Sequence, residues 1–85
     1  MKELDALRRE IDRLDAQIVP LLLERFAVVR RIGEVKKTEG IPVLNEAREK
    51  AVLDKISAFA EDDAEKSALR KVYKSVMTAA KELEK

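Results

Sequence analysis

Residues 4–37, LDALRREIDRLDAQIVPLLLERFAVVRRIGEVKK, decide the fold. Apolar residues at Leu4, Leu7, Ile11, Leu14, Ile18, Leu21, Val28, Ile32 and Val35 follow one another at steps of three and four, the seam of a single helical face. Pro20 interrupts this stretch, and an interior proline removes a hydrogen bond and costs about 3 kcal/mol or kinks the helix. The seam keeps its phase across Pro20, so the pattern predicts one kinked helix reaching about Lys37. Such a helix is about 51 Å long at a rise of about 1.5 Å per residue. A compact chain of this length has a radius of gyration of about 12 Å and a diameter near about 30 Å. The rest of the chain cannot cover a helix of that length. The seam is therefore expected to pack on the same helix of a second subunit, giving an intertwined helical homodimer.

Outward from this helix, Thr38 to Leu44 reads as a loop, with Gly40 and Pro42 as breakers. Asn45 is a good N-cap for a short helix from Glu46 to about Ala60, with Val52, Leu53, Ile56 and Phe59 facing inward. Asp62 followed three residues later by Glu65 fits a capping box. It opens a helix of medium length whose inner face is Leu69, Val72, Val76, Ala79, Ala80 and Leu83. The expected protomer is all-α, three helices in one domain over residues 1–85.

Composition narrows the chemistry. The 85 residues hold 18 Lys plus Arg against 17 Asp plus Glu, a net charge of +1, so the basic excess of a nucleic-acid-coating protein is missing. Cys and His are both absent, which removes disulfides, thiolate and imidazole metal sites, and triads with a His base. An enzyme of this composition works with Arg, Lys, Glu and Asp, and no metal or cofactor is expected. No apolar run approaches the roughly 20 residues of a membrane span, and Met1-Lys2-Glu3 leads directly into the amphipathic pattern. The default location is the cytoplasm. A chain this small needs help to hold together, and with metals and disulfides excluded, oligomerisation is the remaining device.

One charge stands in the wrong place. Stepping the seam by four from Leu21 lands on Arg25, and by three more on Val28, so an arginine occupies a position meant for a core side chain. A buried guanidinium needs an anion. That anion is either a carboxylate of a neighbouring helix, with the side chain snorkelling, or a ligand. Lys36, eleven residues on, returns to within about 20° of the same face and lies about 16 Å further along. Two long cations there can converge on a small anion. Arg8 is about 25 Å before Arg25 and roughly 100° round the helix, too remote to join that site within one chain, though an antiparallel partner helix could deliver it. Arg48 and Glu49 fall in the first turn of the second helix, where backbone N–H groups are also free. Taken singly, each of these charges is also compatible with a solvated surface residue.

The chain resembles the all-helical chorismate mutases. The residues that carry the likeness are Leu7-Arg8-Arg9-Glu10-Ile11-Asp12-Arg13-Leu14-Asp15, Leu21-Leu22-Leu23-Glu24-Arg25, Ile32-Gly33-Glu34-Val35-Lys36, Gly40-Ile41-Pro42-Val43 and Arg48-Glu49. The likeness spans about residues 4 to 84 and is most specific in the first half. It implies an intertwined homodimer of three-helix protomers, each site built from both subunits, with Arg25, Lys36, Arg48 and Glu49 from one and Arg8 from the other. The implied substrate is chorismate, a dicarboxylate rearranged to prephenate by a pericyclic [3,3] shift in phenylalanine and tyrosine biosynthesis. The implied roles are Arg8 and Arg25 as carboxylate clamps, Lys36 as donor to a carboxylate and the ether oxygen, Glu49 as acceptor from the ring hydroxyl, and Arg48 as the residue ordering that corner.

Three positions depart from the family's pattern. Asn45 stands where Asp is frequent, and either can cap. Ala80 replaces a polar residue that helps hold a carboxylate. Glu84 replaces a Gln that donates to the ether oxygen, and an ionised carboxylate cannot donate. Glu84 is thus either protonated in the complex, with turnover rising toward acidic pH and Glu84→Gln flattening that rise, or out of the site at a frayed terminus. The departures leave two alternatives on the same fold, an isochorismate-pyruvate lyase and a mutase of 4-amino-4-deoxychorismate. A non-catalytic helical dimerisation module is the alternative from another class, and it requires Arg25 to pair with a protein carboxylate.

Overall fold

The computed structural model describes residues Met1–Lys85 and contains three helices and no strand. Helix α1 runs Lys2–Glu39, α2 runs Glu46–Ser57 and α3 runs Asp63–Glu84. The first is continuous through Pro20, as the unbroken seam requires. It stops at Gly40, whose φ of 70° is the left-handed conformation that only glycine adopts without strain. There the Ile41 N–H turns back to the Lys36 carbonyl at 2.8 Å. No helix is long and apolar enough to cross a membrane.

Helix α3 packs on both other helices, which do not pack on each other. Its start carries the Asp62 half of the expected capping box, Asp62 Oδ2 accepting from the Glu65 N–H at 3.0 Å, without the return bond from the Glu65 side chain. Arg70 of α3 donates to Asp54 Oδ1 of α2 at 2.8 Å, and Lys50 reaches the other oxygen at 3.1 Å. The hydrogen bond from Arg70, then that from Lys50, holds the Asp54 carboxyl below its ordinary value of 3.8. A depressed carboxyl stabilises the fold above that ordinary value and loses the contribution as pH falls through the lower folded one. The group is solvent-exposed, so the contribution is small.

Two expectations need correction. The second helix ends at Ser57, three residues before the expected Ala60, because the chain tightens into turns with Phe59 N–H on the Ile56 carbonyl and Ala60 N–H on the Ser57 carbonyl. The Lys66 ammonium also takes the Ser57 carbonyl, at 3.4 Å. That tightening turns Phe59 outward, and it is 79% exposed rather than inner. On α3, Val72 and Ala79 are exposed, and the buried line is Met77, Ala80 and Glu84. The helix is rotated from the expected face so that one edge of its apolar arc meets α1 and α2.

Only Val29 and Gly33 are buried on α1, flanked by half-buried Leu22, Phe26 and Lys36, a stripe one residue off the seam. The seam itself is bare, with Ile11 56%, Leu21 64% and Val35 57% exposed. The molecule is 55 × 26 × 15 Å with a radius of gyration of 16.1 Å, against about 12 Å for a compact chain of this length.

Gly33 sets how closely α1 and α3 approach. A Cβ on it would lie 2.6 Å from the Glu84 carbonyl oxygen and 2.8 Å from the Glu84 Cα. These are backbone atoms that cannot rotate away. Helix propensity favours Ala over Gly by about 1 kcal/mol, whereas overpacking costs about 1–3 kcal/mol. The last turn of α3 can give by unwinding, which limits the loss. Gly33→Ala is therefore expected to lower Tm by a few degrees, roughly 4–8 °C per kcal/mol for a domain of this size. Thermal denaturation tests it, and a Tm above wild type would show that propensity, not the close approach, governs the position.

Candidate active site

The three helices leave a cleft of about 450 Å³, within the range of pockets that take small organic ligands. Arg25, Val29, Ile32 and Lys36 form its α1 wall, one helical stripe at steps of three and four. The loop residue Val43 and the first turn of α2 close one end, and Met77, Ala80, Lys81 and Glu84 supply the α3 wall. Seven of the lining residues are apolar, and the charged ones come from all three helices.

Arg25 is half-buried, with its guanidinium carbon 5.7 Å from the centroid of the Tyr73 ring. That stacking positions the fork at a modest gain of about 0.5–1 kcal/mol. It leaves the donors free, for no carboxylate of the chain lies within ion-pairing distance of Arg25. Lys36 is differently placed. Its ammonium donates to the Val43 carbonyl at 2.9 Å, tying the loop to α1, and lies 2.7 Å from Glu84 Oε1. The Glu84 contact is close but not aligned as a hydrogen bond, so that buried oxygen has charge compensation without a donor.

Glu84 is only 9% exposed and faces the cleft, which excludes the frayed terminus. Asn45 caps α2 by accepting the Arg48 N–H at 3.0 Å, and so aims the first turn at the cleft. The Arg48 side chain is exposed at the mouth and paired with no carboxylate. Glu49 is half-buried, its Oε2 3.0 Å from the Lys81 ammonium. Ala80 is buried in the α3 wall and brings no polar group. Arg8 is the exception among the expected residues, exposed on the N-terminal half of α1 and outside the cleft of its own chain.

Sequence reasoning missed Lys81, Tyr73, Met77 and the Val43 carbonyl. Lys81 follows Ala80 and precedes Glu84 by three, so the face shared by those two was the signal for it. The carbonyl of Val43 leaves no sequence signal at all.

Fold and cleft together define an all-α protein whose long helix carries two cations, unpaired Arg25 and Lys36 beside Glu84, into a pocket of small-ligand size. The chorismate mutase type II family model matches residues 7–85, and the chain belongs to that family. It is 36% identical, over its whole length, to the bifunctional chorismate mutase/prephenate dehydratase of Aquifex aeolicus, of which the match covers 25%. Identity to the intracellular chorismate mutase of Mycobacterium tuberculosis is 40% over 71% of the chain and 57% of that protein. The chain thus spans between a quarter and somewhat over half of these curated relatives. Chorismate mutase (form II) from Thermus thermophilus superposes with a TM-score of 0.88 at 32% identity, covering 96% of this chain and 93% of that one.

Proposed function

We propose that the chain is a chorismate mutase, converting chorismate to prephenate as an intertwined homodimer. The observation that carries this is Arg25, a half-buried guanidinium facing the cleft without a protein carboxylate. The dimerisation-module alternative requires such a carboxylate, and this chain's own residues supply none. Four cations line the cleft, Arg25, Lys36, Arg48 and Lys81, against the two carboxylates Glu49 and Glu84. The surplus of two positive charges suits a dicarboxylate.

The rearrangement breaks a C–O bond and forms a C–C bond in one step, with no proton transfer and no covalent intermediate. Catalysis then consists of holding the enolpyruvyl ether over the ring and answering the negative charge that grows on the ether oxygen. Arg25 clamps a carboxylate through its planar fork, which stays charged. Lys36, in the cleft wall, donates to a carboxylate and the ether oxygen. Glu84 faces the same cleft against the Lys36 ammonium, and turnover of Glu84→Gln is the test of its role. Glu49 accepts the ring hydroxyl, Arg48 orders the mouth, and Asn45 holds the turn that carries both. Ala80 leaves room against the substrate without a hydrogen bond of its own.

The homodimer answers the bare seam of α1 and supplies Arg8 in trans. An antiparallel pair of α1 helices that lays the partner's Arg8 beside Arg25 crosses its two-fold axis midway, near Ala16 and Gln17. The test of function is turnover with chorismate, isochorismate and 4-amino-4-deoxychorismate offered separately. Prephenate from chorismate at the highest kcat/KM is the expected result. Pyruvate release from isochorismate as the main reaction would make the chain a lyase instead. No turnover, together with no rise in Tm on adding a bicyclic dicarboxylate, would leave a dimerisation module.

A further inference from the structure

Both carboxylates in the cleft are already matched with a lysine. Glu84 faces Lys36 at 2.7 Å and Glu49 faces Lys81 at 3.0 Å, while Arg25 and Arg48 have no carboxylate partner. The cleft therefore offers free positive charge and no free negative charge. Lys36 is tied to the loop and to the reacting end of the site, but Lys81 has one partner, Glu49. Their side chains are 30% and 28% exposed, enough burial to keep the pairing from being fully screened.

Glu49 belongs to the first turn of α2 and Lys81 to the last turn of α3, so the pair bridges two elements at the rim of one pocket. With Oε2 on the ammonium, the other oxygen of Glu49 remains as an acceptor. A carboxylate in this state accepts a hydrogen bond from a neutral hydroxyl without difficulty. It has little attraction left for a second cation, and an ammonium on the bound ring would also sit close to the ammonium of Lys81. Rejecting a ligand by like charge is as effective a source of specificity as an added attraction.

We propose that Lys81 is a positioning and specificity-determining residue: by holding Glu49 it aims the free carboxylate oxygen at a ring hydroxyl and excludes a ring ammonium. This rests on the mutase reading above and names the feature that makes the site one for hydroxylated dicarboxylates. The measurement is the KM for chorismate and the Ki of 4-amino-4-deoxychorismate as its competitor, in wild type, Lys81→Gln and Lys81→Arg.

Wild type is expected to favour the hydroxyl compound. Lys81→Gln lowers the ratio of Ki to KM at least about tenfold, or about 1.4 kcal/mol, while Lys81→Arg restores the wild-type ratio. A merely structural role for Lys81 would weaken both ligands together and leave the ratio in place. In a Glu49→Gln background the Lys81→Gln effect shrinks, since the carboxylate it released is gone and only the relief of repulsion by the Lys81 ammonium remains. Should Lys81→Gln not fold, Lys81→Met carries the same comparison. An unchanged ratio in a folded Lys81 variant, with chorismate still turned over by wild type, overturns this proposal alone. Absence of chorismate turnover in wild type overturns the mutase reading and this proposal with it.

Discussion

Replacing Lys36 with Met is expected to lower kcat/KM for chorismate by about 10²–10³-fold, the loss that follows removal of one donor from a site of developing negative charge. An ammonium has three donors. One goes to the Val43 carbonyl at 2.9 Å, and Glu84 Oε1 lies 2.7 Å away. Only the bond to Val43 uses a donor, so in the proposed mechanism the remaining donors serve the substrate, whose carboxylate competes with Glu84 for the ammonium's charge. The variant also has a stability cost, because Glu84 is buried and would lose its only cation. Breaking a buried pair from one side costs about 3–5 kcal/mol. The two effects separate in the double variant Lys36→Met/Glu84→Gln, which leaves no charge unpaired. Its melting temperature should return most of the way to wild type while its activity does not. A double variant within tenfold of wild-type kcat/KM would remove Lys36 from the proposed machinery.

The parts of this molecule that sequence reasoning reached are those governed by one helix at a time. The phase of the seam through Pro20, the Asn45 and Asp62 caps and the break at Gly40 are local decisions, and the helices fall accordingly. The misplacement of Arg25 was legible because a periodic seam makes an intruder visible. What one helix cannot show is how another is rotated against it. Helix α3 is apolar round a wide arc, so its sequence permits Val72 to face inward or outward, and the close approach at Gly33 selects the rotation that buries Met77 and Ala80. Lys81 enters the cleft by that rotation. Phe59 is a different case, since the chain after Ser57 tightens into i→i+3 turns, beside which Lys66 of α3 reaches the Ser57 carbonyl, and no periodicity in the second helix announces that end. Gly33 did carry a signal of its own, for a glycine in a helix interior costs about 1 kcal/mol and asks for a packing reason.

In the proposed homodimer Arg8 serves the partner's cleft, and mixing two inactive variants is expected to reveal it. Arg8→Ala and Arg25→Ala homodimers should each be nearly inactive, because every site in either lacks one clamp. Unfolded together in equal amounts and refolded, the chains pair at random, and half of the dimers are mixed. In a mixed dimer, the site that uses Arg25 of the Arg8→Ala chain receives Arg8 from the other chain and is intact, while the second site lacks both. The mixture should therefore recover about a quarter of wild-type activity. If Arg8 instead served the cleft of its own chain, no mixed dimer would contain an intact site and the mixture would stay inactive. The geometry favours the first outcome, because Arg8 lies about 25 Å along a continuous helix from Arg25, beyond the reach of any extended side chain. The bare seam fits it too, since Leu4, Leu7, Ile11 and Leu14 around Arg8 are exposed and the proposed partner helix would cover them. An inactive mixture, with mixed dimers demonstrated by mass spectrometry, would refute the shared site.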